Sequence, residues 1–496
     1  MRCWTSHLTG SSRLFLAFLF FCGGGLVCAE MVTGPLAHRK SSLTVSVEDA
    51  QGNPLSQATI NVRMTRHAFQ FGTQVKDRLF TISESEFNGL SETQKQNLLP
   101  NLTSIGVARY TPTWQDTVNY RTTVLEQFNH IVPTNGMQWT AYNNSGPNNP
   151  DAAINVAYAN GMTAKGHSVV WQKDGWPTPN EFRSASSPTA QGFHDALIND
   201  RLSSGGIMAR YSSTGAGPNI TTWDVLNEPL HEDYYMNTFV DADIYQSNVE
   251  AMADYFIRAK QIRPDAILVI NDYNILSSQN DNNAIAYRNL INDLQAAGAE
   301  IDRIGVQAHV GFTSLSKEAI DLRLDIIAET GLAIEITEFD IRDDVTPVSA
   351  TRQAEIFEDM LTSAFEHESV MGFNMWGFWD PGHWRGNGPL FDEDWVIKEE
   401  ASPWFDLVQG EWKPELFDLT LDGQGQWMAP EGLFNGTYEI EAMLDGQMAS
   451  VSGFQLLENG QITLRMATAV PEPSTLALTS LVCGMLSCRR HRKRKK

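Results

Sequence analysis

Residues 221–229 read TTWDVLNEP, a short apolar run that stops in an amide, a carboxyl and a proline. The same shape recurs in AFQFGTQV (68–75), MTAKGHSVVW (162–171), AILVINDYN (266–274), RIGVQAHV (303–310), LAIEITEFD (332–340) and VMGFNMWGF (370–378). Stretches with helical spacing lie between them, among them Ile244 to Gln261, Ala284 to Ala297 and Thr351 to Phe365. Short buried runs alternating with helices predict a parallel sheet with helices outside. About eight such units and no Gly-rich phosphate loop favour an α/β fold of the (β/α)8 TIM barrel type, with an open doubly wound sheet as the alternative. In a barrel the active site lies where the strands end, so His167, Asn227, Glu228, Asn271, Gln307, His309, Glu338 and Trp376 are expected around one mouth.

Outward from this core, predicted to span residues 67–410, the chain changes character. Residues 41–66 alternate apolar and polar side chains around Gly52-Asn53-Pro54 and are expected to form a β-hairpin extension. Residues 416–466 hold short alternating runs separated by turns such as Asp445-Gly446 and Asn459-Gly460, which predict a small β-rich domain. There Trp427 and Tyr438 read as core or turn packing rather than as a carbohydrate-binding face. Residues 1–29 place Arg13 before LFLAFLFFCGGGLVCA and read as a signal peptide. Residues 470–496, VPEPSTLALTSLVCGMLSCRRHRKRKK, join Pro-Glu-Pro to a short apolar segment and a basic cluster. This tail resembles the PEP-CTERM sorting signal of Gram-negative bacteria. The resemblance implies export to the cell envelope or beyond, transient membrane association and removal of the tail by a sorting protease; a permanent tail anchor is the alternative.

Between Glu30 and Cys488, 27 basic residues face 59 acidic ones, a balance of −32. A body this acidic repels phosphate backbones, so nucleic acid is not an expected partner and a neutral ligand fits better. The five cysteines are confined to residues 3–28 and 483–488, which excludes disulfides, cysteine-bound metal and a cysteine nucleophile from the body. QNDNN at residues 279–283 reads as a solvated loop rather than a cation site.

Glu228 and Glu338 stand out because each closes an apolar run, 110 residues apart. Paired carboxyl groups flanking a sugar linkage are what glycoside hydrolysis requires, one to give a proton to the leaving oxygen and one to act as nucleophile or base. Indole rings suit the apolar faces of sugars, which brings in the tryptophans near the strand ends.

WDVLNEP followed by ITEFD resembles glycoside hydrolase family ten, the retaining endo-β-1,4-xylanases. Further matches come in the same order: FNHIVPTNGMQW (128–139), GHSVVW (166–171), NDYN (271–274), GVQAH (305–309), and WGFWD (376–380) with Trp384 and PLFD (389–392). The resemblance covers about residues 67–408. It implies Glu228 as acid/base and Glu338 as nucleophile, with His309 on the nucleophile and Asp340 orienting that histidine. It implies substrate contacts from Asn135, Gln138, His167, Trp171, Asn227, Gln307, Trp376 and Trp384, a polysaccharide substrate such as xylan, and no cofactor or metal.

The sequence departs from the family pattern where Pro-Glu-Asn-x-Met-Lys-Trp is usual: residues 133–139 are PTNGMQW, so Thr134 and Gln138 replace a Glu and a Lys that grip a sugar. Gln172 likewise replaces a histidine after Trp171. The altered clamp permits a β-glucan substrate as an alternative to xylan, and the β-rich ends and sorting tail would suit a non-catalytic carbohydrate-binding protein displayed at the envelope, against which the presence of both carboxylates and His309 argues.

Overall fold

The computed structural model describes Gly34 and residues 36–311, 315–342, 348–429 and 431–466. The leader (1–29) and the tail (470–496) lie outside these residues. Eight parallel strands, β1 (Gln70–Val75), β2 (His130–Pro133), β3 (Thr163–Trp171), β4 (Thr222–Asn227), β5 (Ile267–Asp272), β6 (Arg303–Val306), β7 (Ala333–Ile341) and β8 (Val370–Met375), pair in order, and β8 pairs with β1. The sheet is therefore a closed barrel, not an open doubly wound sheet. The apolar runs form strands because helices such as Asn248–Ile262, Asn282–Ala296 and Ala350–Glu366 cover their outer faces. β2 is the strand least visible in the sequence, with four residues of which one is a histidine.

Alternation along β1 shows which side faces the barrel axis. A Cβ on Gly72 would collide with Asn374 Oδ1 and the His130 ring, whereas Phe71 packs outward on Trp404 and Trp412 at ring distances of 5.7 and 6.2 Å. Gln70, Gly72 and Gln74 thus point inward, and by the same period Lys76, just past the strand, points into the mouth. Inside the barrel, buried Lys165 pairs with Asp224 at 3.0 Å and with Glu335, which also takes Arg303 at 3.0 Å.

The expected hairpin of residues 41–66 does not form. Strand Leu43–Glu48 lies between Gln426–Met428 and Gly460–Arg465, while strand Thr59–His67 lies in a different sheet between Glu415–Thr420 and Gly436–Leu444. Both strands have one apolar face, and these faces meet across two packed sheets: Leu43, Val45 and Val47 in one, Ile60, Val62 and Met64 in the other, all buried. N-terminal and C-terminal segments therefore share one small sandwich. Tyr438 is fully buried in it and donates to Phe434 O at 2.6 Å. Arg39 ties the sandwich to the barrel through the carbonyls of Phe365, His367 and Val370. Among the described residues no helix is long and apolar enough to cross a membrane.

Candidate active site

The mouth at the C-terminal ends of the strands holds Glu228 after β4 and Glu338 near the end of β7, both largely buried. Glu228 has φ of +59°, a left-handed conformation rare for a side chain of this size, and its N–H donates to Asn271 O at 2.7 Å. Its carboxyl accepts from Trp171 Nε1 at 2.8 Å and from Gln307 Nε2 at 3.0 Å. Burial pushes its pKa up to about 7; those two donors oppose the rise, and the charges of Glu338 and Asp272 add to it.

Glu338 is handled in the opposite way. Burial again favours its neutral form, but His309, His167 and the amide of Asn271 outweigh it and hold the carboxyl below the ordinary glutamate range. Asn271 Nδ2 donates to Glu338 Oε1 at 2.8 Å and to Asn227 Oδ1 at 2.9 Å, and Asn271 Oδ1 accepts from Thr337 Oγ1 at 2.7 Å. Every polar atom of that amide is used, so it fixes both strand ends at once.

His309 Nε2 lies 3.4 Å from Glu338 Oε2, and its Nδ1 lies 2.9 Å from Asp340 Oδ1. Burial disfavours a charged ring, yet the two carboxylates outweigh it and push His309 up to about 10, so it stands protonated between them. Ala308, at φ +60°, breaks the strand after β6 and lets His309–Val310 pair again with Asp340–Ile341. Asp340 also accepts from Trp384 Nε1 at 2.6 Å and faces His383 Nε2 at 3.3 Å. His383 Nδ1 accepts the backbone N–H groups of Arg385 and Asn387, which leaves Nε2 as its protonated nitrogen.

His167 packs edge-on against Trp376, with ring centres 5.2 Å apart, and its Nδ1 lies 2.8 Å from Asp224 Oδ2. Burial lowers its basicity, but Asp224 and Glu338 together raise it above the ordinary histidine value. Lys165 holds the other Asp224 oxygen, so the ion network inside the barrel fixes this ring from below.

The mouth thus gathers Glu228, Glu338, His309, Asp340, His167, Trp171, Asn227, Gln307, Trp376 and Trp384. The segment after β2 is arranged differently. Asn135 is exposed in a short turn, and Gln138 is buried with its Oε1 accepting from Ser168 Oγ at 3.3 Å. Thr134 Oγ1 is engaged by Gln74 Nε2 and Val75 O. Asp224, Thr337, His383 and Lys76 were not singled out from the sequence. Asp224 carried a usable signal, since an acidic residue inside an otherwise apolar run has to find a partner in the barrel.

A closed parallel barrel with two unlike carboxyl groups at its mouth fits the class of barrel glycosidases. The model of Glycosyl hydrolase family 10 matches residues 95–404, and the chain belongs to that family. Among curated relatives, an endo-1,4-beta-xylanase B of Thermotoga neapolitana is 28% identical over 59% of this chain and 85% of its own length. The anti-sigma-I factor RsgI6 of Acetivibrio thermocellus is 27% identical over 82% of this chain, a match that spans 46% of that relative. Among solved structures, a family member from Paenibacillus barcinonensis superposes with a TM-score of 0.52 at 22% identity, covering 70% of this chain and 96% of its own. Xylanase 10B from Thermotoga petrophila, solved with xylobiose, gives 0.50 at 21% identity over 69% and 94%. At these identities the superpositions establish the fold.

Proposed function

We propose that this chain is an exported, retaining endo-β-1,4-glycanase that cleaves internal linkages of xylan. The observation that carries the reading is the placement of two carboxyl groups at one barrel mouth in unlike surroundings: Glu228 lies against neutral Trp171 and Gln307, while Glu338 faces His309 and Asn271, and burial raises the pKa of the first while its partners lower that of the second. Glu228 donates its proton to the glycosidic oxygen as the Glu338 carboxylate attacks the anomeric carbon; the carbon–oxygen bond breaks and a glycosyl ester forms. Glu228, now a carboxylate, takes a proton from water, whose oxygen displaces Glu338 and gives a product of unchanged anomeric configuration. Asn227 Oδ1 already accepts from Asn271, so its NH2 is the group left for a sugar hydroxyl. Protonated His309 screens the nucleophile, and Asp340 holds that ring in place.

Xylan is favoured by the names of the relatives, several of which are endo-1,4-beta-xylanases. The test incubates the purified protein with a panel of xylans and β-glucans and follows product anomers by NMR from the first minutes. Xylo-oligosaccharides released as β-anomers support the reading. α-Anomers overturn retention, glucan products alone overturn xylan, and no products from any polymer leave a binding protein. Export and tail removal belong to the same proposal, supported by the sequence of residues 1–29 and 470–496. Intact-mass measurement on exported material should find the basic C-terminus gone; finding Lys496 would favour a permanent anchor.

A further inference from the structure

The proton donor fixes the direction of a bound chain. Glu228 must reach the leaving oxygen, so the departing sugars lie on its side of the mouth, and the sugars beyond the reacting unit run away from it, over the ends of β8, β1 and β2. That part of the mouth has lost two charged groups of the family pattern, at Thr134 and Gln138: Thr134 Oγ1 is occupied by Gln74 and Val75 O, and Gln138 is buried, its Oε1 accepting from Ser168 and its Nε2 without a partner among the described residues. A cation stands there nonetheless. Lys76 follows β1 on its inward-facing period, is half-buried, and its Nζ makes no hydrogen bond or ion pair among the described residues. Its backbone is anchored, with the N–H donating to Tyr120 OH at 2.9 Å. The side chain of the adjacent Asp77 is buried and turns to the segment after β2: Oδ1 accepts from Thr134 N–H at 3.0 Å, and Oδ2 lies against Gly136. The charge of Lys76 opposes protonation of His383, which places it facing the loop that carries Trp384. Gln74, its inward neighbour on β1, lies beside the same loop, with Oε1 3.7 Å from where a Gly377 Cβ would sit.

We propose that Lys76 is a specificity-determining residue that donates Nζ–H bonds to hydroxyls of the sugar preceding the reacting unit on its non-reducing side. This rests on the glycosidase reading above. An ammonium group offers three donors, and a half-buried one whose N–H groups are not hydrogen-bonded gains from a ligand that supplies acceptors. The contact replaces, from the end of β1, a charge that the family pattern places after β2. Because it lies away from the reacting bond, its binding energy orients the sugar chain without taking part in proton transfer.

The test compares Lys76→Met and Lys76→Arg with the unaltered full chain on two aryl substrates, a β-xyloside that fills only the reacting position and a β-xylobioside that adds the preceding sugar. Lys76→Met should lower kcat/KM on the xylobioside by roughly 10-fold to 100-fold, the loss of a charged hydrogen bond, and change it less than about twofold on the xyloside. Lys76→Arg should recover part of the loss. Xyloside turnover serves as the control for folding. Equal losses on both substrates, or no loss on either, overturn the role of Lys76 while leaving the glycosidase reading intact. An unaltered chain that turns over neither substrate, nor any polymer of the panel above, fails that reading and takes this inference with it.

Discussion

Glu228 and Glu338 are chemically identical side chains whose surroundings shift their acidity in opposite directions, which suits the two duties proposed for them. Glu228 must carry its proton, so activity should fall as pH rises through about 7; Glu338 must be ionised, so activity should fall again only below the ordinary glutamate value of 4.5. A kcat/KM profile with no decline between pH 6 and 8 would refute this assignment. Replacing Glu228 by Gln should reduce turnover on xylan by about 10²–10⁴-fold, the usual contribution of a positioned general acid. Glu338→Ala should lose at least as much, and added azide should restore it with an inverted glycosyl azide, a product NMR identifies. Gln307 tunes the acid: its amide donates to the Glu228 carboxylate and stabilises the ionised form. Gln307→Leu should therefore move the alkaline limb of the profile to higher pH, and a shift to lower pH would contradict the hydrogen-bond account.

At the scale of strands, the catalytic constellation depends on small residues as much as on polar ones. Gly305 in β6 leaves room for the Asn271 amide, since a Cβ there would sit 2.6 Å from Asn271 Oδ1 and 3.0 Å from Thr337 Cγ2. That amide is the link between Asn227 and Glu338. Gly305→Ala should cost about 1–3 kcal/mol of stability through overpacking. It should also depress kcat more than it raises KM, because the displaced amide no longer holds the nucleophile. Denaturant melts and steady-state kinetics on the same preparation check both parts; a destabilised enzyme with normal kcat would show that Asn271 relocates without consequence. The break at Ala308 belongs to this scale too, since it separates β6 from His309 and sets the histidine beside Asp340.

For the whole molecule, the sandwich makes the two ends of the folded body interdependent. The described sheet partners of Leu43–Glu48 and Thr59–His67 all come from residues 415–465. Ending the chain at residue 412 would uncover Ile60, Val62 and Met64, each fully or almost fully buried, and remove both neighbours of their strand. At about 1.5–3 kcal/mol per side chain the loss is roughly 5 kcal/mol or more, and Arg39 would lose the sheet that positions it against the barrel. The truncated protein should be poorly soluble or melt roughly 10 °C or more below the full chain. An unchanged Tm would mean that the barrel is indifferent to the sandwich.

The sequence by itself determined the barrel, because apolar runs of strand length ending in polar residues repeat with helical stretches between them, and a strand buried on both faces is told from a helix by its shortness and its polar ends, not by its period. It also singled out Glu228, Glu338, His309 and Asp340, whose residue types and positions at strand ends suit the proposed chemistry. Only the tertiary structure decided which residues serve them. Asp224 beside His167, Asn271 between two strands, His383 behind Asp340 and Lys76 at the mouth depend on register across the sheet, which brings together residues far apart in the chain. The small sandwich was decided in the same way. Two alternating strands joined by a turn read as a hairpin, but alternation specifies only that one face is buried, and burial against strands some 380 residues later satisfied that requirement with both backbone edges paired.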